Sequence, residues 1–169
     1  GNYYNRFYFV HPDGAVQHYD KKHLFTFGGE HKRFTAGTER VVVNFRGVRI
    51  LLEVCYDLRF PVWSRNLGDY DMILYVASWP TPRVDAWSAL LRARAIENQC
   101  YVAGVNRMGT DPTCEYSGGS AIIDPYGKTI AECPWSRESA VSADIDMEAL
   151  QAFRKKFPVL DDADPFTLI

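Results

Sequence analysis

The sequence lacks a basic excess: 19 lysines and arginines stand against 21 aspartates and glutamates, a formal charge of −2. A nucleic-acid backbone calls for a clustered positive surface, so nucleic acid is not an expected partner. No apolar run approaches the roughly 20 residues that span a bilayer, and the first residues do not follow the basic, apolar, small-residue order of a signal peptide. We therefore expect a soluble, cytoplasmic protein without a membrane partner. Cysteine is sparse, at Cys55, Cys100, Cys114 and Cys133, with no C-x-x-C pair. That argues against a zinc knuckle or a disulfide framework and for a reducing compartment. Internal repeats and low-complexity stretches are absent too. What remains, 169 residues with 47% hydrophobic and 24% charged side chains, is the composition of one globular domain with a sizeable core. The chain starts at Gly1 and runs at once into a strand-like aromatic stretch, from which a further segment upstream is expected.

What is present is an alternation of strand and helix patterns. Tyr4 to Val10 and Ala15 to Tyr19 flank turn residues His11 to Gly14 and read as a hairpin, with Lys21 just past its exit. Residues 22 to 38 read as a long loop. Val41 to Phe45 and Val48 to Val54 form a second hairpin around Arg46-Gly47, and Pro61 suits the first turn of a helix to about Leu67. Met72 to Ala77 and Tyr101 to Val105 read as buried strands, separated by a helix over Ala86 to Gln99. A third hairpin spans Gly119 to Glu132, followed by an alternating strand Ala140 to Ile145, a helix Asp146 to Lys156 and an extended tail from Phe157 to Ile169. This alternation predicts an α/β fold.

The strongest local feature is Val54-Cys55-Tyr56-Asp57-Leu58-Arg59-Phe60-Pro61. A cysteine at the end of a buried strand, turning into a helix, meets backbone N–H groups that favour thiolate and stabilise an oxyanion. Cysteine is also among the most buried residue types, so packing alone would account for it. A lysine beside a thiolate lowers its pKa, which makes Lys21 the second candidate, although lysines at hairpin exits are ordinarily solvated. Glu30 sits in a glycine-flanked loop where it can position a lysine, act as a base or simply face water. His23 and His31 have no close-spaced partners for a metal site.

Tyr19 to Phe25 resembles the lysine motif of the nitrilase, or carbon-nitrogen hydrolase, superfamily, and Val54 to Pro61 resembles its cysteine motif, with Cys55 following Lys21 by 34 residues. Arg92 to Asn98 is similar to the helix that follows, and Gly118-Gly119-Ser120 with Asp124 to Gly127 to the late hairpin. Val54 to Leu67 and Ala77-Ser78-Trp79-Pro80 are most similar to the bacterial YafV-type omega-amidases. The resemblance covers essentially the whole chain and implies a nitrilase-like α-β-β-α sandwich, incomplete at its N-terminus, paired into homodimers, without metal or organic cofactor. It implies Cys55 as nucleophile, Lys21 as the lysine and Glu30 as a second glutamate, with the backbone N–H of Tyr56 as an oxyanion donor. The general-base glutamate of the family belongs upstream of Tyr3, and without it acylation is expected to slow by about 10² to 10⁴.

The activity so implied is hydrolysis of the terminal amide of a small omega-amido acid such as 2-oxoglutaramate through a cysteine thioester. Other readings are another amide or nitrile hydrolase of the superfamily and a truncated, non-catalytic chain. Trp79 and Arg83, in the loop after the strand Met72 to Ala77, are candidates for substrate binding, with core or dimer-face packing and a solvated cation as their plain alternatives. Asp57 and Arg59 are expected to brace the elbow, Arg92, Arg94 and Glu97 to form an ion-pair network, and the tail from 157 to 169 to contact the second copy.

Overall fold

The computed structural model describes residues 1–167. The N-terminal hairpin pairs β1 (Arg6–Val10) with β2 (Val16–Asp20). A six-stranded sheet is built from β3 (Val42–Phe45), β4 (Val48–Val54), β5 (Met72–Ala77), β6 (Tyr101–Asn106), β9 (Ala121–Ile123) and β10 (Thr129–Glu132), in the order β10-β9-β6-β5-β4-β3. Its central pairs β4–β5 and β5–β6 run parallel, and the flanking pairs are antiparallel. Parallel neighbours need crossovers. These are supplied by the short helix α1 (Pro61–Ser64) and by α2 (Val84–Glu97). The tight β3–β4 turn follows from Arg46 and Gly47, whose φ values of 49° and 82° suit a two-residue hairpin loop.

The centre of the sheet explains why β4 reads as a nearly continuous apolar run: every residue from Ile50 to Val54 is buried. On one face Leu51, Ile73, Tyr75 and Val102 pack with Trp87, Leu91 and Ala95 of α2, spaced four apart along one stripe of that helix. Gly104 lets α2 approach β6, because a Cβ there would lie 2.6 Å from a Leu91 methyl group. On the opposite face Ile50, Leu52 and Val54 pack with Val43, Trp63 and the hairpin residues Phe7 and Tyr19. The outcome is the expected α/β architecture, with the C-terminal ends of β4, β5 and β6 at one edge.

Several element expectations are corrected. The helix from Pro61 ends at Ser64 rather than near Leu67, since Arg65 leaves helical geometry and the Asn66 N–H is taken by the Asn98 side chain at 2.9 Å. The loop from 22 to 38 contains two 3-10 turns, Thr26–Gly28 and Glu30–Lys32. Residues 140–145 alternate but form no strand among the described residues, because no neighbouring edge pairs with them. A short hairpin, β7 (Met108–Thr110) with β8 (Glu115–Ser117), was not foreseen. Its turn is organised by Asp111, whose carboxylate accepts the N–H groups of Thr113 and Cys114, both at 2.9 Å.

The last helix, α3 (Met147–Lys156), is capped by Asp146, which accepts the Ala149 N–H at 2.8 Å. Arg154 ties it to the sheet through Asp71 at 2.9 Å. The tail after Phe157 is not extended throughout, since Val159–Asp162 forms a 3-10 turn. Leu168 and Ile169, the end of the tail expected to contact a second copy, lie outside the described residues. None of the described helices is long and apolar enough to cross a membrane.

Candidate active site

A cleft of about 450 Å³ opens at the C-terminal ends of β4 and β5. Cys55, Lys21, Glu30, Tyr56, Trp79 and Arg83 all line it. Six residues singled out in the sequence, drawn from four separate segments, thus meet in one place.

Cys55 follows the last residue of β4 and opens a 3-10 turn, Cys55–Arg59. Its φ of 48° lies in the left-handed region, a conformation that costs a non-glycine residue on the order of 1–3 kcal/mol and persists where the surroundings over-determine it. Tyr56, second in that turn, also lines the cleft, and the first N–H groups of a helical turn have no acceptor within the turn itself. The Sγ atom lies 3.8 Å from the Ser78 carbonyl oxygen. The expectation of a favoured thiolate is corrected: burial pushes the Cys55 thiol above its ordinary value, Glu30 and Asp57 add to that, and the pull of Lys21 does not offset it. A thiol pushed in that direction needs a base to take its proton before it can attack.

Lys21, just past β2, is buried, and its Nζ donates to Glu30 Oε2 at 2.6 Å. Glu30 is therefore not the solvated loop carboxylate of the plain reading. Its Oε1 accepts from Asn5 Nδ2 at 2.7 Å, and its Oε2 also accepts the Phe25 N–H at 2.6 Å. Burial raises the Glu30 carboxyl, but the bonds from Lys21, Phe25 and Asn5 outweigh it and hold the group below the usual carboxylate value. A carboxyl held toward its anion is a poorer proton acceptor and a good anchor for an ammonium group.

Trp79 is packed as its plain reading had it, 3% exposed and against Trp87, while one side faces the cleft. Its backbone is clamped by Asn106, whose side chain accepts the Trp79 N–H at 2.7 Å and donates to the Trp79 carbonyl at 3.0 Å. The indole N–H donates to the Arg83 carbonyl at 2.7 Å. Arg83 projects over the Phe25 ring at 5.5 Å. Arg59, expected to brace the elbow, instead lies 4.9 Å over the Trp79 ring and lines the cleft. Bracing falls to Asp57, which is fully buried and accepts the Val54 N–H at 3.1 Å. Arg94 joins Glu97 at 2.7 Å, but Arg92, expected in the same network, makes no ion pair among the described residues, so a single pair stands in place of the network.

Sequence reasoning missed Asn5, Phe25 and Asn106, and gave Arg59 a bracing role in place of its position in the cleft lining. Arg59 was within reach, lying one turn beyond the cysteine at the same sheet end. Asn5 carries no local signal, since its role exists only through contact with a residue 25 positions away. Among the described residues no group of three or more histidine, cysteine, aspartate or glutamate side chains is placed to hold a metal ion.

Comparison with known proteins bears on this cleft. The family model described as carbon-nitrogen hydrolase matches residues 1–155. The chain is 55% identical over 165 residues to omega-amidase YafV of Escherichia coli K12, covering 97% of this chain and 64% of that protein. It is 41% identical over 162 residues to 2-oxoglutaramate amidase of Bacillus subtilis strain 168, covering 94% of this chain and 62% of the relative. A solved carbon-nitrogen hydrolase superfamily protein from Xanthomonas campestris, with an arsenic adduct in its active site, superposes with a TM-score of 0.94 at 48% identity, over 98% of this chain and 65% of that one. The chain thus spans less than two thirds of the length of these relatives.

Proposed function

The chain belongs to the carbon-nitrogen hydrolase family, and from that premise we propose that it carries the thiol and lysine of an enzyme cleaving the terminal amide of a small omega-amido acid such as 2-oxoglutaramate. The observation that supports this most is the meeting of Cys55, in a left-handed backbone conformation, with the Lys21–Glu30 pair in one cleft.

The chemistry follows from what each group can do. The thiol proton passes to the general base that the family resemblance places upstream of Tyr3, and Sγ of Cys55 attacks the amide carbon. The oxygen then gains negative charge, which the Lys21 ammonium and the Tyr56 N–H hold. The C–N bond breaks, the nitrogen takes a proton and leaves as ammonia, and a thioester remains. Water attacks that thioester, releasing the carboxylic acid and returning the thiol. Glu30 keeps Lys21 oriented throughout. Trp79 forms the apolar wall, while Arg83 and Arg59 meet the carboxylate at the far end of the substrate. Names of the relatives, an omega-amidase and a 2-oxoglutaramate amidase, support the same substrate class.

Replacing Cys55 by alanine in the intact protein is expected to lower ammonia release from 2-oxoglutaramate by about 10³-fold or more. The melting temperature should barely change, because one sulfur at a strand end contributes little packing. Retained turnover would remove Cys55 from the mechanism.

We further propose that residues 1–169 form one carbon-nitrogen hydrolase domain that works as a homodimer in the cytoplasm, with the segment from Phe157 on at the dimer contact. Exposed Tyr8, Val10 and Val16 on the first hairpin, together with Phe157, support a pairing surface. The four unpaired cysteines support a reducing compartment. Light scattering is expected to give twice the chain mass, and a monomer at all accessible concentrations would sink the dimer.

A further inference from the structure

We propose that Asp57 is a positioning residue that fastens the lysine loop onto the cysteine elbow and so sets Lys21 against Cys55. The proposal rests on the reading above in one respect, that Lys21 acts on the Cys55 thiol.

Asp57 stands two residues after Cys55, fully buried, and its four hydrogen bonds join the two segments of the site, one within the cysteine segment and three to the lysine loop. Its Oδ2 accepts the Val54 N–H at 3.1 Å, immediately before the cysteine, and the Tyr19 hydroxyl at 2.9 Å, two residues before the lysine. Its Oδ1 accepts the His23 N–H at 2.9 Å and pairs with His23 Nδ1 at 2.8 Å, two residues after the lysine. Tyr19 extends the frame. Its hydroxyl oxygen accepts the Lys22 N–H and the Trp63 Nε1–H, both at 3.1 Å. The His23 ring is stacked on Phe60 at 3.7 Å, the last residue before α1. Lys21 is therefore held on either side by one carboxylate that belongs to the nucleophile's own turn. Hydrogen bonds to a buried charged group are among the stronger ones in a protein, and losing one partner leaves the rest unsatisfied.

A purely structural carboxylate and a positioning one differ in the sign of their effect on the thiol. Three charged groups act on Cys55: Lys21 favours the thiolate, while Glu30 and Asp57 disfavour it. Asp57→Asn removes a negative charge, so by direct field alone the midpoint for thiolate formation must fall. If the substitution also releases Lys21, the lost cation must raise it, by about one pH unit for a charge at close range. The test is the pH profile of iodoacetamide alkylation at Cys55 in the intact protein, read by mass spectrometry of the Cys55 peptide.

We expect Asp57→Asn to raise the midpoint in the protein that has Lys21 and to lower it in a Lys21→Met background, where no lysine is left to misplace. A fall in both backgrounds, a rise in both, or no change in either overturns the proposal. If Asp57→Asn does not fold by circular dichroism, Tyr19→Phe decides: it breaks one arm without changing charge. It should raise the midpoint when Lys21 is present and leave it unmoved when Lys21 is absent, and any other pattern overturns the proposal. Alkylation needs no turnover, so a protein that shows the sign reversal but releases no ammonia would count against the proposed activity alone.

Discussion

Replacing Lys21 by arginine keeps a cation but changes its shape, from a compact ammonium to a planar fork with a wider reach. The site leaves no room for that change, because Lys21 is 3% exposed and its Nζ is already committed to Glu30 at 2.6 Å. Lys21→Arg should therefore lower turnover by about 10²-fold or more, the usual scale for a lost oxyanion donor. Glu30→Gln acts on the same pair from the other side. The amide keeps an acceptor for Asn5 or Phe25 but loses the charge that anchors the ammonium. A fall in kcat with KM nearly unchanged is the expected signature of a group that acts through Lys21. A rise in KM with kcat intact would instead place Glu30 at the substrate.

At the scale of elements, what the sequence made legible was what depends on near neighbours. The Arg46-Gly47 turn, the strand Met72–Ala77 and the helix that Asp146 caps each follow from a few adjacent residues, and each is found where its pattern lies. Residues 140–145 show the limit of that logic. Alternation makes a segment able to join a sheet, but only a free edge with matching register makes it a strand. Site residues divide the same way. Cys55 and Lys21 carried motifs, whereas the hydrogen bond from Asn5 to Glu30 and the clamp of Asn106 on Trp79 exist only once distant segments have met. The state of the thiol was misjudged for a related reason: the turn that follows Cys55 is visible in sequence, but the burial that opposes thiolate is a property of the assembled cleft.

The whole molecule has a pH response written into its centre. Glu53, on the central strand two residues before Cys55, is fully buried and accepts from Ser64 Oγ at 2.9 Å, while its Oε1 has no partner among the described residues. Burial, and then the field of Asp57, push its carboxyl up to about 8, against the opposing pull of Tyr75, Ser64 and Arg94. In the unfolded chain the same group titrates near its ordinary value of about 4.3. Between those two values the native state holds a proton that the unfolded state has released. Stability from this group is therefore complete below the ordinary carboxylate range and is lost progressively as pH rises through about 8. Glu30 and Asp71 act oppositely: their carboxyls are held low by their partners, so their contributions are lost as pH falls below the ordinary range. The melting temperature should then peak in mildly acidic buffer and decline toward alkaline pH. Glu53→Gln preserves the shape and one acceptor but cannot ionise, so its melting temperature should decline less than that of the parent between about pH 6 and about pH 9. Parallel curves for the two proteins would show that Glu53 does not hold its proton in the native state.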